Sequence, residues 1–558
     1  MLAVALLPAL LSVLLSVLLS APAQAQSPAS CPIRLTDATA ASGIKFRHTD
    51  GGSGQGYIIE GMASGIATFD YDGDGLIDIY FLSGAALKGT VLDSPARDAL
   101  YRNNGDWTFT DVTEQAGLGD LHHSLGVAAA DYDGDGDQDL YVSNFGPNVL
   151  YRNNGDRTFT DVTEQAGVGN GNKVGAGCSF FDMDGDGDLD LYVGNYVDFT
   201  YENHVPIVVK GRHFQAGPQY YQPVADTLYR NNGDGTFTDV SGPSGIAAVA
   251  GPSMATLAFD YDDDGDADMF VCNDGKPNFL FENDGHGKFQ EKALVAGLAY
   301  NFYGKAISSM GVDCGDVDND GRLDLFVTSY QSEMPVLFRN LGGGLFEDGT
   351  STARIATDFF AHVEWGTGQV DFDNDGDRDL FLACGHFDRI ELLDDRTSLK
   401  VPNYVLMNDG QGRFTDVSKQ CGSGLAVVES SRGVAFDDLD NDGDVDAVVL
   451  NSNAAGTLLR NESPAGNHWL ELRLQGGQRN LDGIGARVKV VSGERAQIAE
   501  VHSGRGYQSH YGTRLHFGLG QQQRVDRIEV RWPGGSVEHF PGGEPDRLLV
   551  LKQGSGRQ

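Results

Sequence analysis

One nine-residue pattern, D-x-D-[GND]-D-G-x-x-D, recurs seven times, beginning at Asp70, Asp131, Asp182, Asp260, Asp316, Asp371 and Asp438. Successive starts are 61, 51, 78, 56, 55 and 67 residues apart, and the surrounding residues repeat with them. LYRNNGDWTFTDVTEQAG from Leu100 returns as LYRNNGDRTFTDVTEQAG from Leu150 and as LYRNNGDGTFTDV from Leu228. Each unit reads as four strands: a small apolar strand such as GVAAA (126–130), the acidic loop, a strand such as DLYVSN, then LYRN and FTDV across an Asn-Gly turn. Such units match four-stranded blades with variable connections and are too long for a nine-residue β-helix turn. The expected fold class is all-β: a seven-bladed β-propeller with a small β-sandwich domain after it.

The acid spacing within the loops has a chemical reading. A hard cation such as calcium takes six to eight oxygens, and alternate Asp side chains plus one main-chain carbonyl wrap around a single ion. The expected ligands are Asp70, Asp72, Asp74, Leu76 and Asp78 in the first loop, and Asp131, Asp133, Asp135, Asp137 and Asp139 in the second. The third and fourth supply Asp182, Asp184, Asp186, Asp188 and Asp190, and Asp260, Asp262, Asp264, Asp266 and Asp268. The fifth supplies Asp316, Asp318, Asp320, Arg322 and Asp324, and the sixth Asp371, Asp373, Asp375, Asp377 and Asp379. The seventh supplies Asp438, Asp440, Asp442, Asp444 and Asp446. The fourth residue of each set acts through its carbonyl, so up to seven Ca2+ ions are expected. Position 6 is always glycine, as a sharp turn with positive φ requires. An EF-hand would carry Glu at position 12 between helices; here that position is Phe81 and Val142 in the first two copies, and β-rich runs follow.

The chain ends support closure of a ring. The last unit reaches LLRN at Leu458 without an FTDV strand, while the chain begins with an orphan LTDAT at Leu35. Residues 35–39 are therefore expected to supply the outer strand of the last blade.

The loops and their Phe-rich strands resemble the FG-GAP (VCBS-type) repeats of integrin α-subunit propellers. From Asn467, the segments NHWLELRL, DGIGARVKV, SGRGY, LHFGLG and VDRIEVRWPGG resemble the ASPIC/UnbV domain that follows such propellers in the cartilage acidic protein family. GRGYQSHYG departs from that domain's form after Gly-Tyr. The resemblance implies an extracellular, calcium-bound propeller with a β-sandwich appendix and no defined biochemical activity.

Charge agrees with this. The net charge is −39, and 34 of the 79 acidic residues lie in the seven loops, which makes nucleic acid an unsuitable partner. Residues 465–558 carry 13 Lys or Arg against 9 acids, net +4, which supports a boundary near Pro464. The asymmetry permits an electrostatic dock between the two parts, although a near-neutral sandwich is the simpler account. The expected organisation is a signal peptide at 1–25, the propeller at 26–464, a sandwich at 465–553 that folds by itself without calcium, and a tail at 554–558. Residues 2–20 are apolar and end in APAQAQ, an A-x-A cleavage pattern, so the chain is expected in the secreted or periplasmic space with no membrane span after cleavage. Six cysteines allow up to three disulfides, with buried free thiols as the alternative.

No catalytic motif of the metalloprotease, serine hydrolase, P-loop or dinucleotide type occurs. Recognition is expected on the face opposite the acidic loops, where the longest insertion runs from Asp198 to Thr227. Arg212, His213, Tyr220 and Tyr221 of that insertion are expected beside His123, Lys173, Lys305 and His362 at the channel mouth. Three function classes follow: an adhesion or recognition scaffold for an extracellular protein or glycan, a glycan-binding lectin, and a polysaccharide-active enzyme.

Overall fold

The computed structural model describes residues 31–558 apart from Ala63, Asp93, Ser94, Ala356, Asp388 and Gln478; the expected signal peptide lies outside the described residues. Seven four-stranded antiparallel sheets follow one another along the chain. Their first strands are Ile66–Phe69, His123–Ala130, Gly175–Phe181, Ser253–Phe259, Val312–Gly315, Glu364–Val370 and Ser431–Asp437, taken as sheets 1 to 7. Each first strand neighbours the next and the seventh returns to the first, so they line the inside of a closed, propeller-like ring. The ring closes as expected: Leu35, Thr36 and Asp37 pair with Asn461, Arg460 and Leu459, making the N-terminal strand the outer strand of sheet 7. Closure leaves no sheet short of a strand.

The Asn-Gly signal marks a longer turn than the two-residue hairpin that such a pair favours. In sheet 1 the strands Ala99–Asn103 and Phe109–Asp111 flank five residues, closed by Asn104 N–H donating to the Thr108 carbonyl at 3.0 Å.

After the ring, His468–Gln475, Arg514–Gly520 and Arg547–Lys552 form a three-stranded sheet. Arg487–Ser492, Arg495–Glu500, Val525–Arg531 and Val537–Gly543 form a four-stranded sheet. Their apolar residues, among them Leu470, Leu472, Val488, Val490, Phe517, Ile528 and Trp532, share one core. That core continues into the ring through Ala128, Tyr141, Phe180 and Leu191. Residues 554–558 are attached to this second unit: Gly554 and Gly556 N–H donate to the Glu538 carboxylate at 2.7 Å each.

The connection between Glu500 and Arg514 runs through the centre of the ring. His510 exchanges main-chain hydrogen bonds with Ile66 and Thr68 of sheet 1 (2.9 and 3.0 Å), and the Gln508 carbonyl accepts from Val127 N–H of sheet 2 at 3.1 Å. Gly506 pairs both ways with Val312 of sheet 5, at 2.8 and 3.0 Å. Gly504 abuts the Cys178 carbonyl of sheet 3, His502 Nδ1 lies 3.0 Å from the Ala258 carbonyl of sheet 4, and Tyr511 Oη donates to the Thr367 carbonyl of sheet 6 at 3.0 Å. Gly512 N–H donates to Asp437 of sheet 7 at 3.3 Å. The segment thus touches all seven inner strands and satisfies polar groups on edges that would otherwise face an open channel. Gly65, just before the first inner strand, leaves room for the segment, since a Cβ there would sit 2.2 Å from the Gln508 carbonyl; on Gly126, Gly177 and Gly366 within the strands it would instead meet the next inner strand at 2.4, 2.8 and 2.6 Å.

Candidate metal loops and ligand vestibule

The seven acidic loops share one geometry, and all lie between the first and second strands of their sheets. The position-6 glycines have φ of 87° to 104°, in the left-handed region. Position 4 is left-handed as well, in Gly73, Gly134, Gly185, Asp263, Asn319, Asn374 and Asn441 (φ 56° to 76°), which accounts for its restriction to Gly, Asn and Asp. The first carboxylate accepts from the position-6 N–H in every loop, from Gly75 to Asp70 at 3.0 Å through Gly443 to Asp438 at 2.7 Å.

The position-9 carboxylates carry a structural duty beyond ligation. Asp139 accepts Tyr132 N–H (3.1 Å) and Asn153 N–H (2.8 Å), and the same two bonds recur on Asp78, Asp190, Asp268, Asp324, Asp379 and Asp446. The asparagine that closes each LYRN-type strand completes the brace. Asn153 Nδ2 donates to the Gln138 carbonyl of its own loop (3.2 Å) and to the Tyr71 carbonyl of the preceding loop (2.9 Å). Asn103, Asn231, Asn283, Asn340, Asn408 and Asn461 do the same, so every acidic loop is clamped to its neighbour. The sequence pattern places this asparagine only as the last residue of the LYRN strand; its recurrence at one position in every unit was the available signal.

In each of the first four loops the carboxylates at positions 1, 3 and 9 converge, with one oxygen from each within 4.8 Å of the others; Asp316, Asp318 and Asp320 do so in the fifth. Several of these oxygens are buried without any hydrogen-bond donor: Asp70 Oδ1, Asp72 Oδ1, Asp184 Oδ1, Asp260 Oδ1, Asp318 Oδ1 and Asp440 Oδ1. A buried carboxylate oxygen without a donor is costly, and a cation supplies the missing partner. Burial, followed by like charge, raises the carboxyls without one: Asp182 and Asp316 to about 6, Asp131 to about 7, Asp438 to about 8. The residues present therefore fit a hard divalent ion.

This loop face is only partly covered, and Asp74, Asp135, Asp186, Asp264, Asp320 and Asp442 stay exposed. The two-sheet unit lies on it, and its arginines reach the loops one by one: Arg479 to Asp188, Arg487 to Asp263, Arg495 to Asp377 and Arg531 to Asp260. Arg514 donates to the Gly75 carbonyl and to Asn441 Oδ1, at 2.6 Å each. Asp482 accepts Asp131 N–H at 2.9 Å. The charge asymmetry between the two parts is thus a dock, and near-neutrality of the sandwich does not account for it.

On the opposite face a cavity of about 750 Å³ opens at the ring's mouth. Ile58, Gly61 and Met62 and, from the long insertion, residues 215–219 and 221–223 wall it, with Trp365 among the lining rings. Tyr507 of the central segment packs against Trp365, ring centroids 5.0 Å apart. Tyr196, Tyr221, Tyr330 and Phe387 add further rings, while Gln215, Asp274 and Lys276 supply the polar groups. Lys210 Nζ of the insertion donates to the Leu392 carbonyl of sheet 6's insertion at 2.6 Å, so the two insertions meet across the mouth.

The expected cluster of cations and rings does not assemble there. Tyr221 lines the cavity, with its hydroxyl accepting Val205 N–H at 3.2 Å. Tyr220 is exposed on the insertion's outside, as are Arg212 and His213 on a small hairpin, Ile207–Val209 with Arg212–Phe214. His123 is buried beneath the mouth, its ring nitrogens 3.2 Å from the Ala85 and Ile59 carbonyls, and burial lowers its pKa. Lys173 donates to Thr227 Oγ1 at 2.7 Å in a separate surface groove, and desolvation lowers its pKa. Lys305 is exposed, and His362 lies 2.8 Å from Thr397 Oγ1. Periodicity placed these residues near the ends of inner strands, but it carries no information on which way insertions fold.

Comparison with known proteins agrees with this architecture. The family model described as FG-GAP-like repeat matches residues 70–142, 131–193, 260–327, 316–382 and 371–449, more than half of the chain. The model described as ASPIC and UnbV matches residues 476–558. Cartilage acidic protein 1 from Homo sapiens is 23% identical over 523 residues, covering 88% of this chain and 63% of the relative. Its Xenopus tropicalis counterpart is 25% identical over 500 residues, covering 86% and 62%. The chain spans about three-fifths of the length of these relatives. Among solved structures, an Agrocybe aegerita lectin that recognises non-reducing terminal N-acetylglucosamine superposes with a TM-score of 0.36 at 19% identity, over 63% of this chain and 79% of the lectin. A rhamnogalacturonan lyase from Bacillus licheniformis gives 0.37 at 13% identity, over 71% of each chain. The chain belongs to the FG-GAP-like repeat family, with an ASPIC and UnbV domain after its repeats.

Proposed function

We propose that this chain is an exported, calcium-stabilised propeller that recognises an extracellular protein or glycan at the vestibule opposite its metal loops. One observation carries the reading: the C-terminal unit sits on part of the loop face, while the other face holds an aromatic-lined cavity of about 750 Å³. Rigid scaffolds with insertions around one concave site are where recognition concentrates.

In this reading the carboxylates of each loop hold one Ca2+, which when bound neutralises like charges and fixes the turn between the first two strands. The position-9 carboxylate and the LYRN asparagine pass that rigidity to the next sheet. At roughly millimolar calcium and a dissociation constant of about 0.1 mM, each site contributes about 1.4 kcal/mol, and seven sites about 10 kcal/mol. That is comparable to the net stability of a whole domain. At the vestibule, rings stack on apolar sugar faces or aromatic side chains, and Gln215, Asp274 and Lys276 orient the polar groups of a ligand. Glycan binding is the second reading, favoured by those rings.

A glycan array and a pull-down from extracellular material, both in calcium, test the assignment. Tyr330→Ala with Phe387→Ala is expected to weaken capture at least tenfold, while the fall in melting temperature on adding EDTA stays unchanged. Undiminished capture, or a protection footprint on the C-terminal unit, refutes the site. A wild-type melting temperature equal in calcium and EDTA refutes the calcium role.

A further inference from the structure

We infer that Cys31 and Cys421 form a disulfide that staples the ring-closing strand in place. The two sulfurs lie 3.1 Å apart although 390 residues separate them in sequence. The surrounding backbone holds them together independently of the sulfurs: Leu35 N–H donates to the Cys421 carbonyl at 2.7 Å, and Ile33, Leu35 and Cys421 are buried in one apolar cluster. The other four thiols are buried in different sheets, Cys178 in sheet 3, Cys272 in sheet 4, Cys314 in sheet 5 and Cys384 in sheet 6. This pairing therefore leaves one bridge and four free thiols where six cysteines allow up to three bridges.

The site is where the architecture needs a covalent bond. The seam of the ring rests on three residue pairs between Leu35–Asp37 and Leu459–Asn461, close to the start of the described chain. Terminal strands fray unless tied down, and fraying here would open sheet 7. A bridge across so long a loop also strongly restricts the unfolded chain.

The chemistry balances with a disulfide donor of an oxidising compartment, either a small oxidised thiol or an oxidised dithiol protein. The Cys31 thiol, lowered to about 7 by its hydrogen bond to Cys421, gives up its proton, and the thiolate attacks the donor. One donor sulfur leaves as thiolate. The Cys421 thiol, whose pKa the same hydrogen bond and burial raise, passes its proton to the departing donor thiolate as its sulfur displaces the second, so two S–H bonds become one S–S bond and the donor is reduced to two thiols. In the cell this rests on the export reading above, whereas the pairing itself does not.

The full chain, purified under reducing conditions and then treated with glutathione disulfide, is expected to retain four alkylatable cysteines. Proteolysis without reductant is expected to yield a peptide linking Cys31 to Cys421. Dithiothreitol should lower the melting temperature of the oxidised protein by at least about 3 °C and speed cleavage near the N-terminus. Cys421→Ser should remove both responses. Six alkylated cysteines after oxidation, or linkage through any other pair, overturns the bridge. Linkage in vitro with no chain outside the cytoplasm in the parent cell overturns the export reading alone.

Discussion

Adding a single methyl group at Gly504 should expel the central segment from the ring. Gly504 sits at φ +85°, and a Cβ there would lie 1.9 Å from the Cys178 carbonyl oxygen and 3.0 Å from its carbon. Both atoms belong to an inner strand, so segment and strand must part by roughly 1.5 Å to restore ordinary contact. The left-handed backbone alone costs an alanine about 1–2 kcal/mol. Expulsion costs far more, because Tyr507 and Tyr511 are 0% and 1% exposed. On the scale of aromatic truncations each is worth about 3–5 kcal/mol. Their combined loss, about 6–10 kcal/mol, approaches the stability of a domain. Gly534→Ala separates the two effects, since Gly534 has φ +80° and nothing within 4 Å of its added Cβ. Urea unfolding in calcium should place Gly504→Ala at least about 3 kcal/mol below Gly534→Ala. Trypsin should cut at Arg505, otherwise held at 3.1 Å from Asp313, in the first variant only. Equal midpoints together with an uncut Arg505 would refute a segment seated in the channel.

Asn153→Ala removes the clamp on the Tyr71 and Gln138 carbonyls and should destabilise by about 2–4 kcal/mol. The exposed neighbour change Asn154→Ala should stay within about 0.5 kcal/mol by the same denaturation assay. His510, fully buried in the central segment, has its pKa lowered to about 3 by desolvation, with the Arg505 charge adding to this. A depressed histidine leaves the unfolded chain binding the extra proton below pH 6.5, so stability falls as pH drops from there towards 3. At pH 5 that amounts to about 2 kcal/mol, and His510→Asn should lose stability between pH 7 and pH 5 by that much less than the wild type. Equal pH dependence of the two would show that folding leaves the His510 pKa unshifted.

The repeat determined a great deal by itself. Alternation of apolar residues, the D-x-D-x-D-G spacing and the orphan strand at Leu35 are local signals. They led to seven four-stranded sheets and a ring closed by the N-terminus, all present in the structure. Turn chemistry is equally local, so the left-handed glycine at position 6 was readable from residue type. What lies inside the ring was not readable, because the channel is lined by inner strands spread from Ile66 to Asp437 and filled by residues beyond Glu500. GRGYQSHYG showed only as a departure from its domain's form, and the smallness of GVAAA only as composition. The tertiary structure brings them together at Val127 N–H and the Gln508 carbonyl, while Gly126 is small because the Ala176 carbonyl of the next inner strand lies against it. The same holds for the vestibule: Arg212, His213, Lys173 and His123 were grouped by chain position, whereas the folding of the insertion exposed two of them and the packing of the ring buried His123. Net charge revealed that the two parts differ in sign, yet only their docking paired Arg479, Arg487, Arg495 and Arg531 with particular loop carboxylates. Local periodicity specifies elements; which distant surfaces meet depends on burial summed over the whole fold.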